Sequence, residues 1–232
     1  MGNTSRLSLL IGLLLLWSAV AWCGVNVWIG KNSADWGVPQ NWSNGAVPTE
    51  KDGEDLRIPG GIATYPVLSK DTVLSGTVTI EAGATLTLAG HRLTVVNQGL
   101  LNKGTLDASG AGSIIALKSG GFINDGTVVG EPALLIPAGT TSRQLKSGAA
   151  KFSAFTLATG TYTQAITLND NLTVTGDVNF KAGTVLFGDN TLTVSGSCTL
   201  PPFSDKPFDT VVLRSTAKAK IIFTSDRPAF ID

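Results

Sequence analysis

The chain has 232 residues, with 17 Lys and Arg balanced by 17 Asp and Glu, one His, two Cys and 27 Gly. Charged residues make up only 15%, and so Gly-rich a chain disfavours helix, because each Gly costs about 1 kcal/mol against Ala. Zero formal charge leaves no electrostatic footprint for nucleic acid or an anionic membrane, and 43% hydrophobic residues exclude a disordered chain.

Residues 1–6 carry Arg6 and no acid, and an apolar run follows from Leu7 to Trp17. Ala19-Val20-Ala21 then supplies a small-x-small cleavage pattern. Together these predict a signal peptide over 1–21, a mature chain that begins at Trp22, and an extracytoplasmic address, secreted or at the cell surface. A membrane anchor competes, but the apolar stretch of about 17 residues is at the lower limit for a span, and no stable span is expected after cleavage. Export would put Cys23 and Cys198 in an oxidising compartment. They either bond to each other or stay as two small apolar side chains. Trp22 stands where a lipoprotein would carry a small residue before its Cys, which argues against lipidation of Cys23.

The segment 22–59 is turn-rich and holds Trp28, Trp36 and Trp42. An exposed Trp cluster can stack on sugar rings, so these three residues are a candidate binding site. The favoured reading is that they cap the open end of a stacked β-structure, which makes 22–59 a Trp-rich N-terminal cap. Asp52 and Asp55 read as turn residues, and no metal site is expected.

From Leu56 onward the chain is a series of short apolar bursts with period two, such as Thr77-Val78-Thr79-Ile80 and Arg92-Leu93-Thr94-Val95, punctuated by Gly and Asn. These read as strands. Asn102-Lys103-Gly104-Thr105-Leu106 recurs 22 residues later as Asn124-Asp125-Gly126-Thr127-Val128, and Leu172-Thr173-Val174 recurs after 20 as Leu192-Thr193-Val194. On a longer scale Val78 to Gly83 resembles Val178 to Gly183. A period near 20 to 22 fits one coil of a parallel β-helix, or β-solenoid, with coils stacked about 4.8 Å apart. The predicted fold is all-β: a solenoid of roughly six coils, in a first part over 60–136 and a second over 165–232. Residues 137–164, poor in apolar residues, read as an irregular excursion or junction. A β-sandwich is the alternative, since regularly spaced turns also mark sandwiches.

Chemistry is sparse. Asp107, Asp125, Asp170, Asp177 and Asp189 stand mostly singly in Asn/Gly bends, where solvated turn residues are the default. His91 lacks a nucleophile motif, and no phosphate loop, dinucleotide fingerprint or zinc spacing occurs. No catalytic residue and no cofactor is therefore expected. Asn41-Trp42-Ser43 and Asn171-Leu172-Thr173 match the glycosylation sequon.

The head Trp28-x-Gly30, Trp36, Asn41-Trp42-Ser43-x-Gly45, Val47-Pro48 is similar to the opening of repeats in large bacterial surface exoproteins. The coil motifs Val78-x-Ile80-x-x-Gly83 and Asn102-x-Gly104-Thr105-Leu106 resemble those of adhesin- and haemagglutinin-like passengers. The resemblance implies a right-handed parallel β-helix at the cell surface, acting as a non-enzymatic adhesion or scaffold module toward an extracellular glycan or a host or matrix protein. No stretch resembles a C-terminal membrane barrel, which speaks against self-export. A carbohydrate-active β-helix enzyme, lyase- or glycosidase-like, and a structural fragment of a larger exoprotein are the alternatives.

Overall fold

A computed structural model describes residues 24–138, 141–158, 165–200, 211–216 and 218–224. The predicted signal peptide, with Cys23, lies outside them. Among the described residues there is no α-helix, and the strands wind into a parallel β-solenoid of about six turns. The β-sandwich alternative is excluded, because every strand-to-strand ladder is parallel.

The turns stack their strands into three faces, and the three turns that begin at Thr77, Gly99 and Gly121 place a strand on each. The first face stacks Asp55–Ile58, Thr77–Ile80, Gly99–Asn102, Gly121–Asn124, Arg143–Lys146 and Ala165–Leu168. The second stacks Thr72–Leu74, Arg92–Val95, Ile114–Leu117 and Ala133–Ile136. The third stacks Thr85–Thr87, Thr105–Asp107 and Thr127–Val129. Beyond Lys151 longer strands round the corners without interruption, and Leu172–Gly188 pairs with neighbours on more than one face.

Period-two alternation gives this coil its inside. Leu56, Val78, Leu100, Phe122 and Leu145 are in register from turn to turn, and all are buried. The core is thus a column of aliphatic and aromatic side chains. Each contributes about 1.5–3 kcal/mol relative to an exposed one. The exact repeats of the sequence are neighbours in space, since Asn102 lies against Asn124 and Leu172 against Leu192. The longer similarity has no such meaning. Val78 belongs to the first face and Val178 to the second.

Residues 137–164 differ from the sequence reading. Arg143–Lys146 and Lys151–Ala158 are not an excursion but continue the stack, pairing with the turns on both sides. Leu145, Phe152, Phe155 and Leu157 fill the inward positions, while polar outward neighbours dilute the apolar signal. Positions 139–140 and 159–164 lie outside the described residues.

One inward column of the first face turns polar at its corner. At the inward site that Ile80 occupies one turn earlier, Asn102 and Asn124 are buried. Asn102 Nδ2 donates to Asn124 Oδ1 at 2.8 Å and to the Thr127 carbonyl at 2.9 Å, and Asn124 Nδ2 donates to the Ser147 carbonyl at 2.8 Å. The Gly104 amide donates back to Asn102 Oδ1 at 3.2 Å. The glycine two residues on is set by the stack. A Cβ on Gly126 would lie 2.2 Å from the Gly104 carbonyl oxygen. The recurring Asn-x-Gly is therefore a corner device that closes one turn upon the next.

Replacing Asn102 by Ala strands buried partners at about 1–3 kcal/mol each. Thermal or denaturant unfolding should show a loss of about 3 kcal/mol, whereas Asn97→Ala, at an exposed bend, should change stability by less than about 0.5 kcal/mol.

Candidate functional site

The three head tryptophans come together. Trp28 and Trp36 stack at 6.4 Å with 21° between planes, and Trp42 meets both edge-on at 5.1 and 4.6 Å. Their exposures are 0%, 2% and 1%, so none offers a face to a sugar ring in this arrangement. Trp28 Nε1 donates to the Thr64 carbonyl at 2.8 Å and Trp42 Nε1 to the Trp36 carbonyl at 3.0 Å. The cluster covers the first turns of the column, whose core it joins. Such burial is what a capping role requires.

The head is tied by short polar side chains. Asn41 is fully buried, with its Oδ1 accepting from the amides of Asn32 and Ser33 and its Nδ2 donating to the Asp35 carbonyl. A sequon whose asparagine is buried and bonded in this way is closed to modification in the folded chain. Asn171, the other sequon asparagine, is exposed. Asp35 accepts from the Gly37 amide at 2.8 Å and the Ser69 hydroxyl at 2.9 Å. Those two hydrogen bonds, with a smaller effect of Lys70, hold its carboxyl below the ordinary aspartate value of 3.8.

Of the acids singled out in the sequence, Asp125 and Asp170 both lie near Lys146, and the others are held by partners of their own. Asp107 accepts from the amide and hydroxyl of Ser109, and Asp125 pairs with Lys146. Asp170 accepts from the Ser147 and Gly148 amides at 2.8 and 2.6 Å. Asp177 takes the Ser197 amide and hydroxyl, both at 2.8 Å, and Asp189 the Thr216 hydroxyl at 2.5 Å. Asp52 accepts from Thr49, and Asp55 from the Thr77 amide one turn on. His91 lies 3.7 Å from Asp71, which itself accepts the Arg92 amide. Most of these carboxylates thus close bends or join successive turns. Among the described residues no three His, Cys, Asp or Glu side chains gather as metal ligands would.

Cys198 is buried, pairs with Val178 through its backbone and forms no disulfide among the described residues. Burial pushes its thiol above the ordinary range. Cys23, its proposed partner, falls outside the described residues, and so does the cleavage site.

One surface feature escapes sequence reasoning. On the first face lies an open depression of about 290 Å³, bounded by Gln98, Ser142 and Gln144 over Leu101 and Ile123. Single Gln and Ser residues form no motif, and only the stacking of three turns brings these together. The chain matches no protein-family model, no curated protein and no solved structure.

Two outcomes are expected for the head. Trp42→Ala should cost about 3–5 kcal/mol in unfolding measurements, as for other fully buried Trp truncations. Intact stability with lost ligand binding would instead make the cluster a binding platform. The second concerns acid. A lowered folded pKa stabilises the fold above the unfolded value and ceases to do so as pH falls through the folded one. The stability gap between wild type and Asp35→Ala should therefore be largest above pH 3.8 and narrow below it. A gap independent of pH would show that the carboxylate charge is not what ties the loop.

Proposed function

We propose that this chain is an exported, non-enzymatic β-solenoid that serves as a surface adhesion or scaffold module and meets extracellular glycans or matrix proteins along its faces. The observation that carries this reading is the use of the acids. The carboxylates available for acid–base work are spent on bend amides, bend hydroxyls and Lys146. Retaining glycosidases instead hold two carboxyls about 5–5.5 Å apart across a cleft. A rigid rod whose polar groups hold its own turns together presents surface rather than chemistry. The motif resemblance to surface exoproteins and the signal-like N-terminus support the same reading.

The test is a binding array of glycans and matrix proteins on the purified protein, with mass analysis of the exported chain. Binding to at least one class, with a mature start at Trp22, is expected. Release of reducing sugar or unsaturated uronate from the same polysaccharides would replace this reading with the enzymatic one. Retention of the whole chain in the cytoplasm would overturn the export.

A further inference from the structure

We propose that the depression on the first face is a subsite for one residue of a neutral saccharide chain, an inference that rests on the adhesion reading and gives it a place and a ligand class. The depression is imposed by the backbone. Gly99 and Gly121 are in register on consecutive turns. A Cβ on Gly99, whose φ is +138°, would lie 2.7 Å from the Gly121 carbonyl oxygen, and one on Gly121 would lie 2.4 Å from that of Gln144. Neither position tolerates a side chain, so two successive rungs leave the face bare. Leu101 and Ile123, half-buried beside them, supply an apolar floor.

The walls are polar and uncharged. Gln98 and Gln144 are exposed on different turns and border the same depression with Ser142. A carboxamide carries two donors and a carbonyl acceptor, and a hydroxyl carries both kinds of site. Neighbouring hydroxyls on a pyranose ring present the complementary pattern, while the ring's C–H face suits the floor. Among the described residues no charged side chain borders the depression, so an anionic sugar gains nothing there over a neutral one.

Two further observations narrow the ligand. The strand Gly99–Asn102 is paired on both sides, with Thr77–Ile80 and with Gly121–Asn124. A peptide therefore finds no free strand edge for β-augmentation. A volume of about 290 Å³ is also at the lower bound of pockets that enclose a whole small ligand, about 300 Å³. An open site of that size takes one unit of a longer chain.

The experiment compares wild type with the double variant Gln98→Ala/Gln144→Ala on neutral hexose and N-acetylhexosamine oligosaccharides, uronate-containing oligosaccharides and matrix proteins. Unfolding midpoints are measured for both proteins. Wild type should bind neutral chains in preference to uronates, and the double variant should bind them at least about ten-fold more weakly, about 1.4 kcal/mol, at an unchanged midpoint. Unchanged glycan binding in the variant, or a preference for uronates, would overturn the subsite and leave the adhesion reading standing. Binding to matrix proteins alone would do the same. Failure to bind anything would overturn both. If the midpoint falls, Gln144→Asn, which keeps the carboxamide on a shorter arm, decides between the two roles. Binding lost at a wild-type midpoint upholds the subsite, and binding retained overturns it.

Discussion

The rest of the structure depends on where a strand finds its hydrogen-bond partner. In a solenoid the partner is one turn away along the chain, at a fixed step and about 4.8 Å along the axis. Every position is therefore judged against the residues one turn before and one turn after it. Like stacks on like: Leu56 on Val78 on Leu100, Asn102 on Asn124, and Gly99 on Gly121. A wrong residue at a stacked position disturbs three turns rather than one. This explains the composition. Apart from Arg143, charge is kept to the outside and to bends, and glycine appears where one turn's backbone crosses close to the next.

Short polar side chains do the rest of the joining. Asp55 and Asp71 accept amides 22 and 21 residues on, at 2.8 and 2.9 Å. Asn171 and Asp177 accept amides 20 residues on, each at 2.8 Å. The bends, which cannot use the ladder, are thereby tied at the same one-turn spacing as the strands. A buried backbone group without a partner costs as much as a lost hydrogen bond. Using Asp and Asn for this purpose keeps the corners compact.

How much of this is legible in the sequence depends on whether the signal is periodic. The repeat Asn102-x-Gly104 with Asn124-x-Gly126 is carried by identical residues one turn apart, so it indicates the turn length and favours a parallel stack over a sandwich. The similarity of Val78 to Gly83 with Val178 to Gly183 misleads, because alternating Val, Ile and Gly recur on every face. Residues 143–158 were hidden for a related reason: their inward Leu145, Phe152, Phe155 and Leu157 are interleaved with Lys, Ser and Gln, which thins the apolar run without altering the alternation. The Trp cluster is visible as composition, but whether the indoles point in or out is a property of packing. The depression is not legible at all, since Gln98 stands two turns away from Ser142 and Gln144 and is their neighbour only after stacking.

Arg143 shows the same constraint at its most demanding. It is in register with Ile166, an inward position, yet it carries a cation, and only 2% of it is exposed. Among the described residues no carboxylate pairs with it. Its Nη2 donates to the Lys118 carbonyl and, at 3.1 Å, to the Pro137 carbonyl. Those carbonyls end the successive second-face strands Ile114–Leu117 and Ala133–Ile136, where the chain turns a corner and the ladder can no longer serve them. A guanidinium spans both at once. Burial draws its pKa down to about 10, so the group remains charged at neutral pH and carbonyl dipoles stand in for a counter-ion. Nε and Nη1 have no acceptor among the described residues. An uncompensated buried charge is costly; here two corner carbonyls accept from the guanidinium and offset part of that cost.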